Sequence, residues 1–417
     1  MFHEYILTLL KNLILNFLQS YKYSKKGILG DTMKKKLRFL NNIHIILFIL
    51  TTMFLISVCD NLRGPYSIQI KNYFQINNTQ LSLIFIVSSL SYMFFSMFSG
   101  FLCRRIGHKN SICIGFVLII LSIVKILLSL CYSDFLIGLF ITNAGEALIL
   151  VGINTIIPTM NIKYKAIVMN LLHFSYGIGA AFIQKKSAFM IKHNFDFIHV
   201  HFVLGIIFII WLFQLFNINL SPIPSKNKTS QNILPTNKKL LLSYLLALGL
   251  YLSAEVSTAN WFTNFIGETY GYNESFSSKY LSLFFIFIAI GRVLGGFIVE
   301  KVGYLKSSLY ALLTSTILFT FGYILGLSGF LLISLSGLFF SIYYPTMLLT
   351  IKDNFKENYT YITSLVFSFG SLCCIAINFI IGFISDHFGV FKSFYIIPLC
   401  LIISLCSTLY IYSEKVN

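Results

Sequence analysis

Charged residues are scarce in this chain. Of its 417 residues 11% are charged and 57% are hydrophobic, whereas an ordinary soluble domain carries about 25% charged residues. Acidic residues are the rarer sign: 14 Asp and Glu stand against 31 Lys and Arg, a formal net charge of +17. This shortage of charge excludes a soluble globular protein, because one core could not bury so much apolar surface.

Several chemical signatures are also missing. The eight cysteines have no pairing or metal-ligand spacing, so we expect free thiols and no metal site. Walker A, HExxH and GxSxG patterns are absent, which argues against an enzyme or an ATP-driven pump, and no cofactor is expected. Basic residues are not interleaved with exposed aromatics, so the positive charge does not indicate nucleic acid.

Long apolar runs are what the sequence has instead. They repeat at about 20 residues, enough to cross a bilayer as helices that satisfy their own backbone polar groups. The sequence therefore predicts an all-α integral membrane protein in a lipid bilayer. The twelve predicted spans are 41–62, 79–102, 111–131, 135–160, 166–184, 199–218, 240–262, 278–299, 307–326, 328–351, 359–384 and 393–412.

A polar segment divides the spans into two groups of six. The stretch "SPIPSKNKTSQNILPTNKK" contains three prolines and four lysines, a composition typical of a solvated linker. We predict halves at 41–218 and 240–412, a linker at 219–239 and a short tail at 413–417.

The first 40 residues are predicted to be an N-terminal extension. Met33 opens "MKKKLRFLNN", which is typical of a start just before a first span. The segment ahead of it is apolar but has no small-residue cleavage site. We expect Met33 to be the true start, the alternative being an amphipathic helix on the membrane surface.

The distribution of Lys and Arg predicts the orientation. With the N-terminus inside, the inner segments from Met33 onward carry 18 Lys and Arg and the outer loops carry 7. Because basic residues accumulate in cytoplasmic loops, both termini are expected in the cytoplasm. The expected location is the cell (inner) membrane, and the expected state is a monomer.

One basic loop occurs twice. "SGFLCRRIGHKNS" at 99–111 joins spans two and three, and "GGFIVEKVGYLKS" at 295–307 joins spans eight and nine, 196 residues later. The matching positions are Gly100 with Gly296, Arg105 with Lys301, and Gly107 with Gly303. The two loops indicate a repeat of the six-span half.

A second echo supports the repeat. "NTIIPTM" at 154–160 in span four resembles "SIYYPTM" at 341–347 in span ten, 187 residues later. Two halves in the same orientation, joined by a cytoplasmic linker, form a parallel internal repeat.

The repeated loop resembles the loop motif of the major facilitator superfamily, Gly-x-x-x-Asp-Arg/Lys-x-Gly-Arg-Lys/Arg. The first copy keeps Gly100, Arg105, Gly107 and Lys109, and departs at Arg104 and His108. The second copy has Glu300 at the acidic position and keeps Lys301 and Gly303. The resemblance covers nearly all of residues 40–412 and implies twelve helices working by alternating access.

This motif, with Arg292 nearby, is the predicted cytoplasmic gate. Its glycines allow close helix approach, and its basic residues can pair with acidic groups or helix C-termini of the other half. Arg104 replaces the acidic member of one such pair. In the alternative interpretation the basic residues only fix topology, and Arg292 is either a structural pair near the gate or a ligand contact.

Three further stretches resemble the sugar–proton symporter branch of the same superfamily. They are "NTIIPTMNIKYKAIVMNLLHFSYGIGAAF" at 154–182, "AEVSTANWF" at 254–262 and "GRVLGG" at 291–296. The resemblance implies proton-coupled uptake of a sugar or similar small polar metabolite. An exporter of drugs or metabolites and a non-transporting sensor with the same fold are the alternatives.

Two carboxylates within spans are candidates for proton coupling. An ionisable residue inside the membrane is costly and is a functional candidate by default, and burial favours the protonated form of a carboxyl group. Asp60 ends span one and Glu146 lies in span four. The structural alternatives are an interfacial cap near Arg63 for Asp60 and a pair with Lys125 for Glu146.

Five residues are candidates for substrate binding. A carboxylate with an aromatic ring nearby suits a polyol, and amide and imidazole groups can bind hydroxyls. The candidates are Glu255 and Trp261 in span seven, Asn154 in span four, and Asn170 and His173 in span five. Alternatively, Glu255 faces the outer vestibule, Trp261 belongs to the interfacial belt, and the amides and imidazole tie helices together.

Overall fold

The computed structural model of the chain describes residues 31–64, 66–76, 78–218, 237–272 and 274–416. Most of the predicted N-terminal extension and most of the predicted linker fall outside these residues. Within them every regular element is helical, and twelve helices are long and apolar enough to cross a membrane. The prediction of an all-α membrane protein with twelve spans is confirmed.

We number the spanning helices α1 to α12. The first half consists of α1 Asp31–Asp60, α2 Asn78–Ile106, α3 His108–Leu127, α4 Tyr132–Ile156, α5 Lys165–Lys192 and α6 Phe197–Phe216. The second half consists of α7 Lys238–Tyr270, α8 Glu274–Val302, α9 Tyr304–Ile324, α10 Phe330–Phe355, α11 Tyr359–Phe388 and α12 Ile396–Val416. Several run past their apolar stretch, as α7 does beyond its predicted end at residue 262.

The two halves repeat the same packing. Helices α2 and α3 both pack against α4, as α8 and α9 pack against α10. Gly107 precedes α3 with φ of +86° and Gly303 precedes α9 with φ of +93°, a backbone region that favours glycine. The two motif glycines therefore start equivalent helices, and we call the end of the helices that carries them the motif end.

The halves meet mainly through two helix pairs, α2 with α11 and α5 with α8, with smaller contacts of α5 with α10 and of α4 with α11. The last residues of α2 and α8 and the first residues of α5 and α11 lie at the motif end. Hydrogen bonds between the halves lie at this end, from Ala166 to Glu300 and from Lys352 to Pro158, and a further one joins Arg292 to His173 near the middle of α8.

The two similar segments 154–160 and 341–347 adopt different local structures. In the first half a 3-10 turn, Ile157–Thr159, contains Pro158 and ends α4. In the second half Pro345 lies inside α10, which continues to Phe355. The chain therefore leaves the membrane span earlier after Pro158 than after Pro345, and α5 begins only at Lys165.

Candidate functional site

Both candidate coupling carboxylates lie around one guanidinium group. Arg63 Nη2 is 2.7 Å from Asp60 Oδ1 and 3.9 Å from Glu146 Oε2. The same nitrogen donates to Asn143 Oδ1 at 3.3 Å, and the Tyr176 hydroxyl donates to Asp60 Oδ2 at 2.6 Å. The end of α1, the middle of α4 and the middle of α5 are thereby joined in one cluster, which we call the carboxylate cluster.

Local geometry explains how the chain builds this cluster. Asp60 is the last residue of α1, and the turn that follows brings Arg63 back onto it at an i,i+3 spacing. Asn143 and Glu146 are also three residues apart on α4, so they share one helix face. The cluster is therefore two short-range pairs brought together by helix packing.

The carboxylate cluster contains two acidic groups and one basic group. The side chains of Arg63 and Glu146 are 8% and 3% exposed, while that of Asp60 is 34% exposed. Glu146 Oε1 is buried without a hydrogen-bond partner in the described part of the chain. Because a buried charge is costly unless it is paired, the cluster is balanced when one carboxyl group is protonated.

The alternative prediction, in which Glu146 pairs with Lys125, is wrong. Lys125 Nζ lies 2.6 Å from Asp134 Oδ1, near the start of α4 and away from Glu146. Its partner is nine residues along the chain, across the short connection between α3 and α4. The contact of Asp60 with Arg63, in contrast, is present.

A second cluster joins the halves around Arg292 in the middle of α8. Arg292 Nη2 lies 3.5 Å from Glu255 Oε1 on α7, and Nη1 donates to the His173 carbonyl on α5 at 3.0 Å. The His173 ring packs edge-on against Tyr344, with centroids 6.0 Å apart. We call Arg292, Glu255 and His173 the arginine cluster. Arg292 Nε and His173 Nε2 are buried without partners among the described residues, so this cluster retains polar groups to which a ligand or water can hydrogen-bond.

Trp261 is held in one orientation by an amide. Its Nε1 donates to Asn378 Oδ1 on α11 at 3.0 Å, and Asn260 Nδ2 donates to the same oxygen at 3.1 Å. Asn378 is itself anchored, because its Nδ2 donates to the Cys374 carbonyl at 2.8 Å. The half-buried indole is thus fixed between α7 and α11.

The two candidate asparagines are buried and bond within their own helices. Asn154 Nδ2 donates to the Leu150 carbonyl and Asn170 Nδ2 to the Ala166 carbonyl, both at 2.9 Å. Both amide oxygens are buried without a partner in the described residues. An unpaired buried acceptor is unfavourable, so these oxygens are available to a bound hydroxyl or water, and the idea that the amides tie helices together is not supported.

The acidic residue of the second motif copy bonds across the halves. Glu300 Oε1 accepts a hydrogen bond of 2.7 Å from the backbone N–H of Ala166, in the first turn of α5. An acidic group at a helix N-terminus is favourable. This contact between the halves is made by the acidic residue of the motif, whereas the prediction concerned its basic residues.

The basic residues of the motif behave differently from the prediction. Lys109 Nζ donates to the carbonyls of Phe216 and Ile218 at 3.1 and 2.7 Å, so it caps the C-terminal end of α6 in its own half. Arg105 and Lys301 are exposed and Arg104 is half-buried. Lys109 therefore bonds to the C-terminal end of a helix, but of its own half and not of the other half.

The motif glycines at helix crossings sit against backbone. A Cβ atom on Gly296 would lie 2.8 Å from Ile167 Cα on α5, and one on Gly100 would lie 3.1 Å from Tyr361 Cα on α11 and closer still to the Ser364 side chain. The distance at Gly296 is shorter than real Cβ atoms show, and the distance at Gly100 is tighter than most real Cβ contacts. The close approach of α8 to α5 and of α2 to α11 therefore requires glycine.

We predict that Gly296→Ala separates the halves at the motif end. Overpacking costs about 1–3 kcal/mol, which changes the ratio of two states by about five- to 150-fold. Cysteines placed at Lys163 and Tyr304, in a chain whose native cysteines are serine, would cross-link more slowly with a short bifunctional reagent. Gly267→Ala is the control, since its Cβ would meet nothing closer than 3.5 Å, and equal rates in the two variants would refute the prediction.

Several residues of these clusters were not predicted from the sequence. Asn143, Tyr176 and Asn378 are uncharged and lie in apolar helices, where a single polar residue is common. Two of them have a spacing signal: Asn143 is three residues before Glu146, and Tyr176 is three after His173. Arg63 was seen only as a neighbour of Asp60, because its second partner is 83 residues away.

Comparison with known proteins agrees with this architecture. The sequence profile described as Major Facilitator Superfamily matches residues 45–372. The chain belongs to the major facilitator superfamily. Among curated proteins none matches the chain.

Solved structures of this superfamily share the fold. The Escherichia coli fucose:proton symporter FucP has a TM-score of 0.75 at 18% identity, covering 88% of this chain and 98% of its own. The proton:xylose symporter XylE has a TM-score of 0.70 at 13% identity, covering 89% and 95%. The human organic anion transporter MFSD10 has a TM-score of 0.67 at 12% identity, covering 88% and 99%.

Proposed function

We propose that this major facilitator protein is a monomeric symporter that couples proton entry to uptake of a sugar or a similar small polar metabolite. It works by alternating access, in which the two halves expose one site to either side of the membrane in turn. Its location is the cell (inner) membrane, with both termini in the cytoplasm.

The observation that carries the proposal is the carboxylate cluster. Arg63 balances one negative charge, and its closer partner is Asp60. Glu146, with one buried oxygen lacking a partner, is left as the group that carries the proton. A proton that neutralises Glu146 shifts the equilibrium between inward and outward states if the cluster has different solvent access in each.

The substrate class is supported by the second group of residues. The arginine cluster, the free amide oxygens of Asn154 and Asn170, and the fixed indole of Trp261 offer donors, acceptors and an apolar face. This mixture suits a molecule with several hydroxyl groups. Two of the similar structures are named as sugar–proton symporters, although a third is named as an organic anion transporter.

The proposed orientation assigns a state to the structure. With 18 Lys and Arg inside against 7 outside, the motif end faces the cytoplasm. Two hydrogen bonds join the halves at that end: the Ala166 N–H donates to Glu300, and Lys352 donates to the Pro158 carbonyl. The arrangement therefore corresponds to a state closed toward the cytoplasm, and inward release requires these bonds to break.

The test is proton movement in everted membrane vesicles that contain the protein and an internal pH dye. Sugars, amino acids and organic acids are added one at a time. A pH change evoked by one sugar, absent from vesicles without the protein, is the expected result. No response to any member of the panel, from protein that is folded and inserted, would refute proton-coupled uptake in favour of export or sensing.

We predict that Trp261→Ala raises the KM for the transported sugar by about tenfold, because stacking on an aromatic face contributes about 1–1.5 kcal/mol. Trp261→Phe keeps a ring and is expected to restore most of the affinity. The measurement is initial uptake against sugar concentration, with Trp211→Ala as the matched control on α6. An unchanged KM in Trp261→Ala would assign the residue to the membrane-interface belt.

A further inference from the structure

The motif end contains a cavity that neither candidate cluster uses. It has a volume of about 310 Å³ and lies between the end of α4, the start of α5, the start of α9 and the end of α10. Its lining includes Pro158, Lys163, Lys165, Lys352 and Asp353. Three ammonium groups against one carboxylate make this lining positive.

Two of these lysines converge on one atom from opposite halves. Lys165 Nζ and Lys352 Nζ each donate to the Pro158 carbonyl oxygen at 2.7 Å. That oxygen is neutral, so it satisfies one hydrogen of each ammonium group without offsetting their mutual repulsion. Each ammonium group has three donors, which leaves hydrogens for a further acceptor.

The internal repeat explains why the two lysines meet. Lys165 follows Pro158 by seven residues, and Lys352 follows Pro345 by seven residues. The two lysines are therefore equivalent positions of the repeat. Because α4 ends at Pro158 while α10 continues past Pro345, Lys165 begins α5 while Lys352 lies in the last turn of α10, and both reach the same carbonyl.

The nearby acidic groups leave the site positive. Asp353 is an exposed part of the lining and acts on Lys352 electrostatically. Glu300 is engaged by the Ala166 N–H. Lys163 is exposed and adds a third positive charge.

We propose that this cavity binds a phosphate-type dianion between Lys165 and Lys352, and that the bound anion holds the two halves together at the motif end. Lysine binds phosphate as a compact point charge, and a dianion offers enough oxygens to accept from both ammonium groups while balancing their charge. Since one lysine belongs to each half, the anion bridges them and favours the motif-end-closed state. The donor chemistry is the same for free phosphate and for a lipid phosphomonoester.

The first test is thermal unfolding of the purified protein in uncharged detergent, which needs no transported substrate and so stands apart from the proposed function. Inorganic phosphate is expected to raise the melting temperature saturably, compared with chloride at equal ionic strength. In Lys165→Gln/Lys352→Gln this rise is expected to vanish, and in each single variant the apparent Kd is expected to increase by about tenfold. Lys306→Gln, an exposed lysine outside the cavity, should respond as the unmodified protein does.

A second arm separates the two sources of phosphate. Short-chain phosphatidic acid is compared with short-chain phosphatidylcholine in the same assay. A lysine-dependent rise with phosphate assigns the site to a soluble anion, and a rise only with phosphatidic acid assigns it to a lipid headgroup. The proposal is overturned if neither probe stabilises the protein more than its control, or if the double variant folds and responds as strongly as Lys306→Gln.

Discussion

Glu146→Gln is expected to abolish accumulation of substrate driven by a pH gradient. One pH unit stores about 1.4 kcal/mol for each proton, which supports about tenfold accumulation. Glutamine keeps the size of the side chain but carries no exchangeable acidic proton. Accumulation of labelled sugar in liposomes with an imposed gradient should therefore fall from about tenfold to equal concentrations.

Exchange separates loss of coupling from loss of transport. Counterflow of labelled against unlabelled sugar, with no net proton movement, should survive in Glu146→Gln. Asp134→Asn is the matched control, because it removes a carboxylate of α4 that pairs with Lys125 and lies outside the cluster. Full accumulation by Glu146→Gln would contradict the assignment and direct attention to Asp60 or Glu255.

Arg63→Met is expected to be the most destabilising single change in the site. It leaves the Asp60 carboxylate without its cation, and removing one partner of a buried ion pair costs about 3–5 kcal/mol. The partial exposure of Asp60 places the expected loss near the lower end, about 3 kcal/mol. The melting temperature followed by fluorescence-detected size exclusion should drop clearly.

A second substitution tests whether charge is the cause. Arg63→Met/Asp60→Asn removes the carboxylate that is left unpaired and should regain much of the lost stability. Arg63→Met/Asp134→Asn, which changes an unrelated carboxylate, should regain none. Equal stability of Arg63→Met and the unmodified protein would mean that the arginine does not balance the carboxylates.

The fold follows from the sequence because each span has a local cause. Apolar length sets the number of helices, and Gly107 and Gly303 mark where α3 and α9 begin in the same backbone conformation. The ends of the helices were less predictable than their number. The predicted span ended at residue 262, whereas α7 continues to Tyr270, beyond the apolar stretch from which the span was predicted. Pro158 lies in a 3-10 turn that ends α4, whereas Pro345 lies inside α10. Because the sequence motif around the two prolines is shared, this difference depends on their surroundings in the fold.

The sequence was sufficient to predict which residues belong to the site, but not which of them contact each other. Glu146 and Asp60 were singled out because charge inside a span is rare, yet their common partner Arg63 depends on how α1 and α4 face each other. Because the sequence does not show which helix faces meet, it also suggested Lys125 as a partner for Glu146, whereas Lys125 pairs with Asp134. Asn378, which orients Trp261, gave no signal because an isolated amide in an apolar helix has no distinguishing pattern.

The motif illustrates the limit of a resemblance. Glu300 forms the contact across the halves, whereas Lys109 caps a helix of its own half. Arg104 places positive charge where the family motif has an acid, so the two copies are not electrically equivalent. The sequence shows that Arg104 departs from the family motif. The packing of the helices is needed to show that the acidic residue of the second copy, Glu300, contacts the other half.

The central claim, that sugar and proton move together through one titrating carboxylate, is tested most directly by measuring both fluxes in the same liposomes. Purified protein is reconstituted with an internal pH dye, and a labelled sugar identified by the panel is added outside with no imposed ion gradient. Internal acidification is expected in a fixed ratio of about one proton for each sugar, set by the single group Glu146. Sugar entry at the same rate with no change in internal pH would contradict it.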